Sequence, residues 1–440
     1  MKKSTFTLLF SAALATLSAQ NWTPMAAGIL PNNVVIFSIS AVGEQVVWAI
    51  ASAEYYQPPI PVSHRPVILR TSDGGQTWVV KEIDEAAGAI VFTMVAEDSL
   101  TAWITTQDYG GGAGRSLFKT TDGGEVWVKK LTSNGCGVAL NRYPDGQHWF
   151  AQNRQGTSRS ANNGENWTTN NISGYQSNEY QILNSGTNMS TSVGDTLWNG
   201  TSAGRIVRFT NYGQANTFLT TPFGSSSTIT SIAFQDHLNG LMYYSTGSGV
   251  PKIAKSTDGG ANWANLLQQP GPGGWNITTV PGAPGSYALA TNYNSTSGKI
   301  AITKDFGASW AIETIGKPLN AITFTSPSSG WAGAGRITSS LHPAIFKYTG
   351  SPLVGVESPG ETLAGFSISP NPVADILRFD FEGSAEIGSV FVTLSDVSGH
   401  PVLSREFFEK QLDVTSLPSG IYFLKVETAD GWAVRKIVRE

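Results

Sequence analysis

The chain has 440 residues, a formal net charge of −4, 14% charged residues, 48 glycines and one cysteine. With no basic run beyond its first residues, it excludes nucleic acid as an electrostatic partner, because binding phosphates needs clustered Lys and Arg. The lone Cys136, in Asn134-Gly135-Cys136-Gly137, excludes an intramolecular disulfide and reads as a small buried hydrophobe, so stability must come from packing.

Residues 1–20 begin with Lys2 and Lys3, continue through an apolar run from Phe6 to Leu17 and end in Ser18-Ala19-Gln20. This is the pattern of a cleaved secretory signal. The run is too short to span a bilayer, and no cysteine stands at the cleavage site to accept lipid, so no transmembrane anchor is expected.

From residue 21 to 350 one phrase returns: TSDGGQTW at 71–78, TTDGGEVW at 120–127, SANNGENW at 160–167, STDGGANW at 256–263 and TKDFGASW at 303–310. Its tryptophans at 78, 127, 167, 263 and 310 stand 49, 40, 96 and 47 residues apart. The long interval holds a decayed copy, VRFTNYGQANTF at 207–218, which keeps Thr210 and Gly213, lacks the acid and ends in Phe218. A final copy stops after Ala344 to Gly350, and Asn21-Trp22-Thr23 matches the piece it lacks.

A second marker, an aromatic one strand earlier, recurs as Trp48, Trp103, Trp149, Trp198, Tyr243, Tyr287 and Trp331. A period in the forties is the mark of a repeat architecture. Both markers predict seven units closed into a ring by the N-terminal strand, an all-β seven-bladed propeller over 21–350. Runs such as VFTMVA and ITSIAF between Gly, Ser, Asn and Pro clusters read as its antiparallel strands.

The phrase itself reads as a hairpin. Asp73, Asp122, Asn162, Asp258 and Asp305 are placed to accept backbone N–H groups two residues on. The glycines supply positive φ, and Trp78, Trp127, Trp167, Trp263 and Trp310 pack under the turn.

Composition changes after Gly350: residues 351–362 lack aromatics and read as a linker. Residues 363–440 contain FSISPNP, LRFDFEG, VFVTLSDVSGHPV, LDVTSLPSGIYFLKVET and WAVRKIVRE, short strands bounded by turn residues, and predict a small Ig-like β-sandwich.

On the repeated phrase, residues 22–350 resemble the Asp-box or BNR propellers, a group that includes sialidases, some endoglucanases, sortilin-type receptors and the photosystem II assembly factor family. The resemblance implies that the box turns join third and fourth strands on the face opposite the ligand site, so the box aspartates are structural. The second segment resembles the type A C-terminal sorting domain of the type IX secretion system of Bacteroidota. It does so on Pro370-Asn371-Pro372, the Asp396 to Gly399 turn, Leu417-Pro418-Ser419-Gly420-Ile421-Tyr422 and Lys436-Ile437-Val438-Arg439. This implies Sec export, recognition by the type IX translocon, removal of the domain by a sortase near 351–365, and a protein released or held at the outer-membrane surface.

On the face opposite the boxes, loop residues Tyr55, Tyr56, Arg65, Asp108, Tyr109, Arg115, Arg154, Trp275 and Tyr293 are ligand-binding candidates, with Arg205, Tyr244 and Arg336 beside them. Aromatic faces next to Asn, Arg and Asp suit sugar rings, so a glycan or an extracellular protein is the expected ligand. A sialidase would need three convergent arginines and an Arg-Ile-Pro signature, from which Arg65-Pro66-Val67 departs. An endoglucanase would need two carboxylates across the bond, for which Asp108 with Glu54 or Glu179 are the choices. The histidines His64, His148, His237, His342 and His400 show no metal-ligand spacing, and no cofactor is implied. Two readings follow: a secreted or surface propeller that binds without catalysis, and a divergent secreted glycoside hydrolase.

Overall fold

The computed structural model describes residues 21–440 apart from 27–28, 30–33, 54–64, 109–113, 133–138, 153–155, 183–189, 247–250, 271–275, 292–297, 335–343, 354–362, 364–365, 382–389, 397–400, 408–409 and 429–430. The expected signal at 1–20, Cys136 and Gly399 lie outside the described residues.

The repeated phrase forms a hairpin because two side chains divide the turn's donors between them. Thr71 Oγ1 accepts the Gly75 N–H at 2.9 Å and donates to Asp73 Oδ1 at 2.7 Å, and Asp73 Oδ1 accepts the Thr77 N–H at 2.9 Å. Thr120, Ser160, Ser256 and Thr303 repeat the hydroxyl's part for Gly124, Gly164, Gly260 and Gly307. The acid or amide thus reaches the residue four positions on, not the one two positions on that the phrase alone implies, because the hydroxyl already holds the nearer end of the turn. The Thr77 hydroxyl and N–H and the Thr71 hydroxyl hold the Asp73 carboxyl well below the usual carboxylate range.

In the decayed copy the neighbouring hairpin adds a side-chain acceptor to the backbone contact that the intact turns also make. Asp195 Oδ2 accepts the Asn211 N–H at 3.1 Å, and its carbonyl accepts the Tyr212 N–H at 2.9 Å.

Each turn joins the third and fourth strands of a four-stranded antiparallel sheet, as between Val67–Thr71 and Val79–Glu82. Among the described residues there are seven such sheets before residue 350, spanning 34–82, 89–132, 139–171, 190–220, 227–265, 276–314 and 319–348, the last completed by Trp22–Met25. That N-terminal strand pairs with Ile345–Tyr348, Trp22 opposite Tyr348 and Met25 opposite Ile345. The innermost strands follow one another in a ring, and Leu319–Ser326 of the last sheet packs on Val34–Val42 of the first. The architecture is a β-propeller.

The blades interlock through the second-strand aromatics. Trp48, Trp103, Trp149, Trp198, Tyr287 and Trp331 are all at most 1% exposed. Trp103 fills the place that a β-carbon on Gly164 of the next blade would need, and Gly164 has φ +78°. Trp331 does the same to Gly75 across the ring closure, where that β-carbon would come within 2.9 Å of the indole. Inner strands are also tied by side chains: Ser40 Oγ accepts the Ala96 N–H at 2.9 Å, Ser231 Oγ the Ile277 N–H at 2.9 Å, and Asn320 Nδ2 donates to Ile36 O at 3.1 Å. Leu353 is buried with the last blade and donates its N–H to Pro327 O, so propeller packing runs past Gly350.

The C-terminal segment is a two-sheet sandwich. Phe366–Ser369, Ile376–Phe381 and Gln411–Asp413 form one sheet; Pro401–Phe407, Val390–Asp396, Gly420–Thr428 and Gly431–Arg439 form the other, in that order. Leu377, Phe379, Val392, Leu394, Leu424, Val426 and Ile437 lie between them. The larger sheet meets the propeller hairpin at 235–239, where Phe391 packs on His237 and Lys425 Nζ lies 3.6 Å from Asp236 and 2.8 Å from Glu427. Burial pushes the Glu427 carboxyl up to about 7, helped by Asp236 and opposed by Lys425.

Removing the ring-closing indole with Trp331→Ala should cost about 3–5 kcal/mol of stability, read from urea unfolding. A second expectation concerns pH. Folded Glu427 keeps a proton that the unfolded chain releases from its ordinary value of 4.5, so this contribution to stability falls as pH rises from about 4.5 to 7. The loss should be on the order of 2 kcal/mol, seen as faster amide exchange in Gly420–Thr428, and Glu427→Gln should flatten the profile.

Candidate functional site

The meander puts first-to-second-strand hairpins and the repeated turns on one face, and the second-to-third-strand and inter-blade connections on the other. The second face carries the residues that the sequence puts forward. Tyr55, Tyr56, Tyr109, Arg154, Trp275 and Tyr293 lie outside the described residues, as do Glu54, His64 and Arg336. Asp108 ends the strand Ala102–Asp108 opposite Ala89, and Arg115 opens the next strand opposite Gln107. Arg65 is ion-paired with Asp84, which lies in the short connection to the second blade. Tyr244 is no ligand residue: it is buried, stacked on Phe223, and donates to Asn265 Oδ1 at 2.7 Å, because its strand turns it into the blade packing.

What the fold assembles on this face is a polar cluster between the third and fourth blades. Glu179 has a fully buried side chain and forms a two-pronged ion pair with Arg205, with Arg205 Nε donating to Oε1 at 3.0 Å. Thr201 Oγ1 donates to the same oxygen at 2.7 Å, and the Gln176 N–H reaches the other at 2.8 Å. Arg205 also donates to Gly174 O at 2.8 Å and lies 4.3 Å from the Phe218 ring centre. Burial pushes the Glu179 carboxyl up, but the Arg205 guanidinium and the other donors outweigh it and hold the group below the usual range. Both carboxylate oxygens of Glu179 are thus taken up by Arg205, Thr201 and the Gln176 N–H, the arrangement of a structural anchor.

Beside it runs a row of buried amides. Asn199 Nδ2 donates to Gln152 Oε1 at 2.6 Å and to Gln181 Oε1 at 2.9 Å. Sequence reading misses this cluster, since Glu179 and Arg205 are 26 residues apart and no spacing links Gln152 to Asn199.

The sorting motifs have equally definite jobs. Asn371 inserts its amide against the edge strand Gly431–Arg439, donating to Lys436 O at 2.7 Å and accepting the Val438 N–H at 2.9 Å. Val373 continues that contact, its N–H reaching Val438 O at 2.8 Å. Tyr422 donates to Pro418 O at 2.8 Å, closing the Leu417 to Tyr422 turn, and Arg439 ties the last strand to Val414 O at 3.0 Å. Pro370 and Pro372 flank Asn371, Gly420 opens its strand, and Lys436 is exposed.

Residues 367–440 match the secretion system C-terminal sorting domain. This segment indicates export to the cell surface or beyond, and among the described residues no helix is long and apolar enough to cross a membrane. The propeller is similar to YCF48 bound to D1 peptide, at 17% identity over 76% of this chain and 99% of that one, with a TM-score of 0.55. YCF48 from Cyanidioschyzon merolae is 16% identical over 75% and 99%, TM-score 0.52. The GH74 enzyme of Niastella koreensis is 12% identical over 96% and 74%, TM-score 0.51. At these identities the likeness establishes the fold. No curated protein matches the chain.

Arg205→Ala leaves a buried carboxylate without its cation and should cost about 3–5 kcal/mol in urea unfolding. Arg205→Lys should recover only part of this, because a single ammonium cannot reproduce the paired geometry.

Proposed function

We propose that the mature protein is a non-catalytic propeller of the cell surface or its surroundings. Residues 1–20 direct Sec export, and the sorting domain is recognised by the type IX translocon and removed by its sortase. The face opposite the repeated turns then binds a glycan or an extracellular protein through the loops that hold Tyr55, Tyr56, Tyr109, Trp275 and Tyr293.

The observation that carries this reading is the Glu179–Arg205 pair. Of the acids that a hydrolase would use, Glu179 is the one described in full, and it is buried and committed to holding the connection after the third blade onto the fourth. A fixed polar frame on the same face as loops rich in aromatic residues is what a binding face requires. That YCF48 is seen with D1 peptide supports a protein partner for a propeller of this shape as much as a glycan.

The test is a glycan array and a panel of extracellular proteins, probed with the purified exported protein and followed by incubation with each hit. Binding without cleavage is expected, weakened roughly tenfold or more by Tyr55→Ala, Tyr109→Ala or Trp275→Ala. Cleavage of a glycan hit, abolished by Asp108→Asn, would overturn the reading in favour of a hydrolase.

A further inference from the structure

The strand Gly420–Thr428 lies inside its sheet, between Val390–Asp396 and Gly431–Arg439, and its residues alternate in direction. Tyr422, Leu424 and Val426 enter the core, so Ile421, Phe423, Lys425 and Glu427 project from the outer side. An outer sheet face is ordinarily polar. Here it divides into two halves. The Lys425–Glu427 end is covered by the propeller hairpin that carries Asp236 and His237, with Phe391 beside it.

Among the described residues the other end is bare and apolar. Ile421 is 40% exposed and Phe423 43%, and Val402 on the edge strand, whose neighbour Leu403 turns to the core, is 44% exposed. Pairing sets Phe423 beside Ser395 on one side and the exposed Lys436 on the other, with Ile421 opposite Val438. A single exposed hydrophobe needs no explanation; three on one face of a small domain, with a cation at the rim, mark a contact surface.

We propose that this uncovered half, Val402, Ile421, Phe423 and Lys436, is the surface by which the receptor of the secretion machinery grips the folded precursor, and that the receptor presents an apolar patch with an acidic rim. The inference rests on the reading of 363–440 as a sorting signal. Two observations single out a face-on protein partner. The same sheet face already binds protein at its other end, so the patch continues an existing interface. Strand addition at the Gly431–Arg439 edge, the edge beside Phe423 and Ile421, is closed where Asn371 and Val373 occupy the Lys436 and Val438 backbone groups.

The experiment is an export assay of the full-length chain. Ile421→Ser with Phe423→Ser should give a protease-resistant precursor that stays in the periplasm, with exported protein down roughly tenfold or more. Lys436→Glu should show the same direction, and deletion of 363–440 is run beside them. A folded double variant exported at the wild-type level, with the deletion retained, overturns the patch and leaves the sorting reading intact; export of the deletion overturns the sorting reading itself. If the double variant fails to fold, Val402→Ser on the edge strand decides, and wild-type export of that variant overturns the proposal. A precursor dimer that the variants dissolve without any loss of export would identify the patch as a self-contact and overturn it too.

Discussion

The indole of Trp103 lies where a side chain on Gly164 would have to be, and Trp331 stands in the same relation to Gly75. Phe150 against Gly213 repeats the arrangement, its ring pressed on a turn glycine of the following blade. A positive φ and the missing β-carbon are both needed, which is why the turn keeps its glycine even in the copy that lost its acid. Because the last such contact joins the last blade to the first, the aromatic rings bury large apolar area and also define the closure of the ring.

The repeated turn and the opposite face follow different rules. On the turn face, the five intact copies satisfy backbone donors locally, with a hydroxyl and an acid or amide two residues apart. This frees the opposite face to vary without endangering the hairpins. There the fold relies on a few contacts made once, chiefly the Glu179–Arg205 pair with Thr201 and the amide row from Gln152 through Asn199 to Gln181. A buried ion pair of this kind adds little net stability compared with an apolar contact, but it is costly to break and fixes the orientation of both partners.

The sorting domain solves the problem of exposed strand edges in its own way. Asn371, held between two prolines, caps the last strand, and Arg435 reaches across the sandwich to Phe366 O. The outer face of its larger sheet remains the available surface, half resting on the propeller and half open. Export address and cargo are thus joined by a contact that buries Lys425 and Glu427 together with Asp236.

The period of the phrase, the second-strand aromatics, the pairing of Trp22 with the last blade and the strands of the C-terminal sandwich were legible in the sequence. Each rests on residues that recur at fixed spacing or lie within a few positions of one another, so the pattern carries the interaction. The contact of Asp195 with the decayed turn, the burial of Tyr244, the pairing of Glu179 with Arg205 and the covering of Lys425 were decided by tertiary structure alone. These contacts join different hairpins, blades or domains and occur once, so their spacing follows from how the ring closes and leaves no periodic trace in the chain.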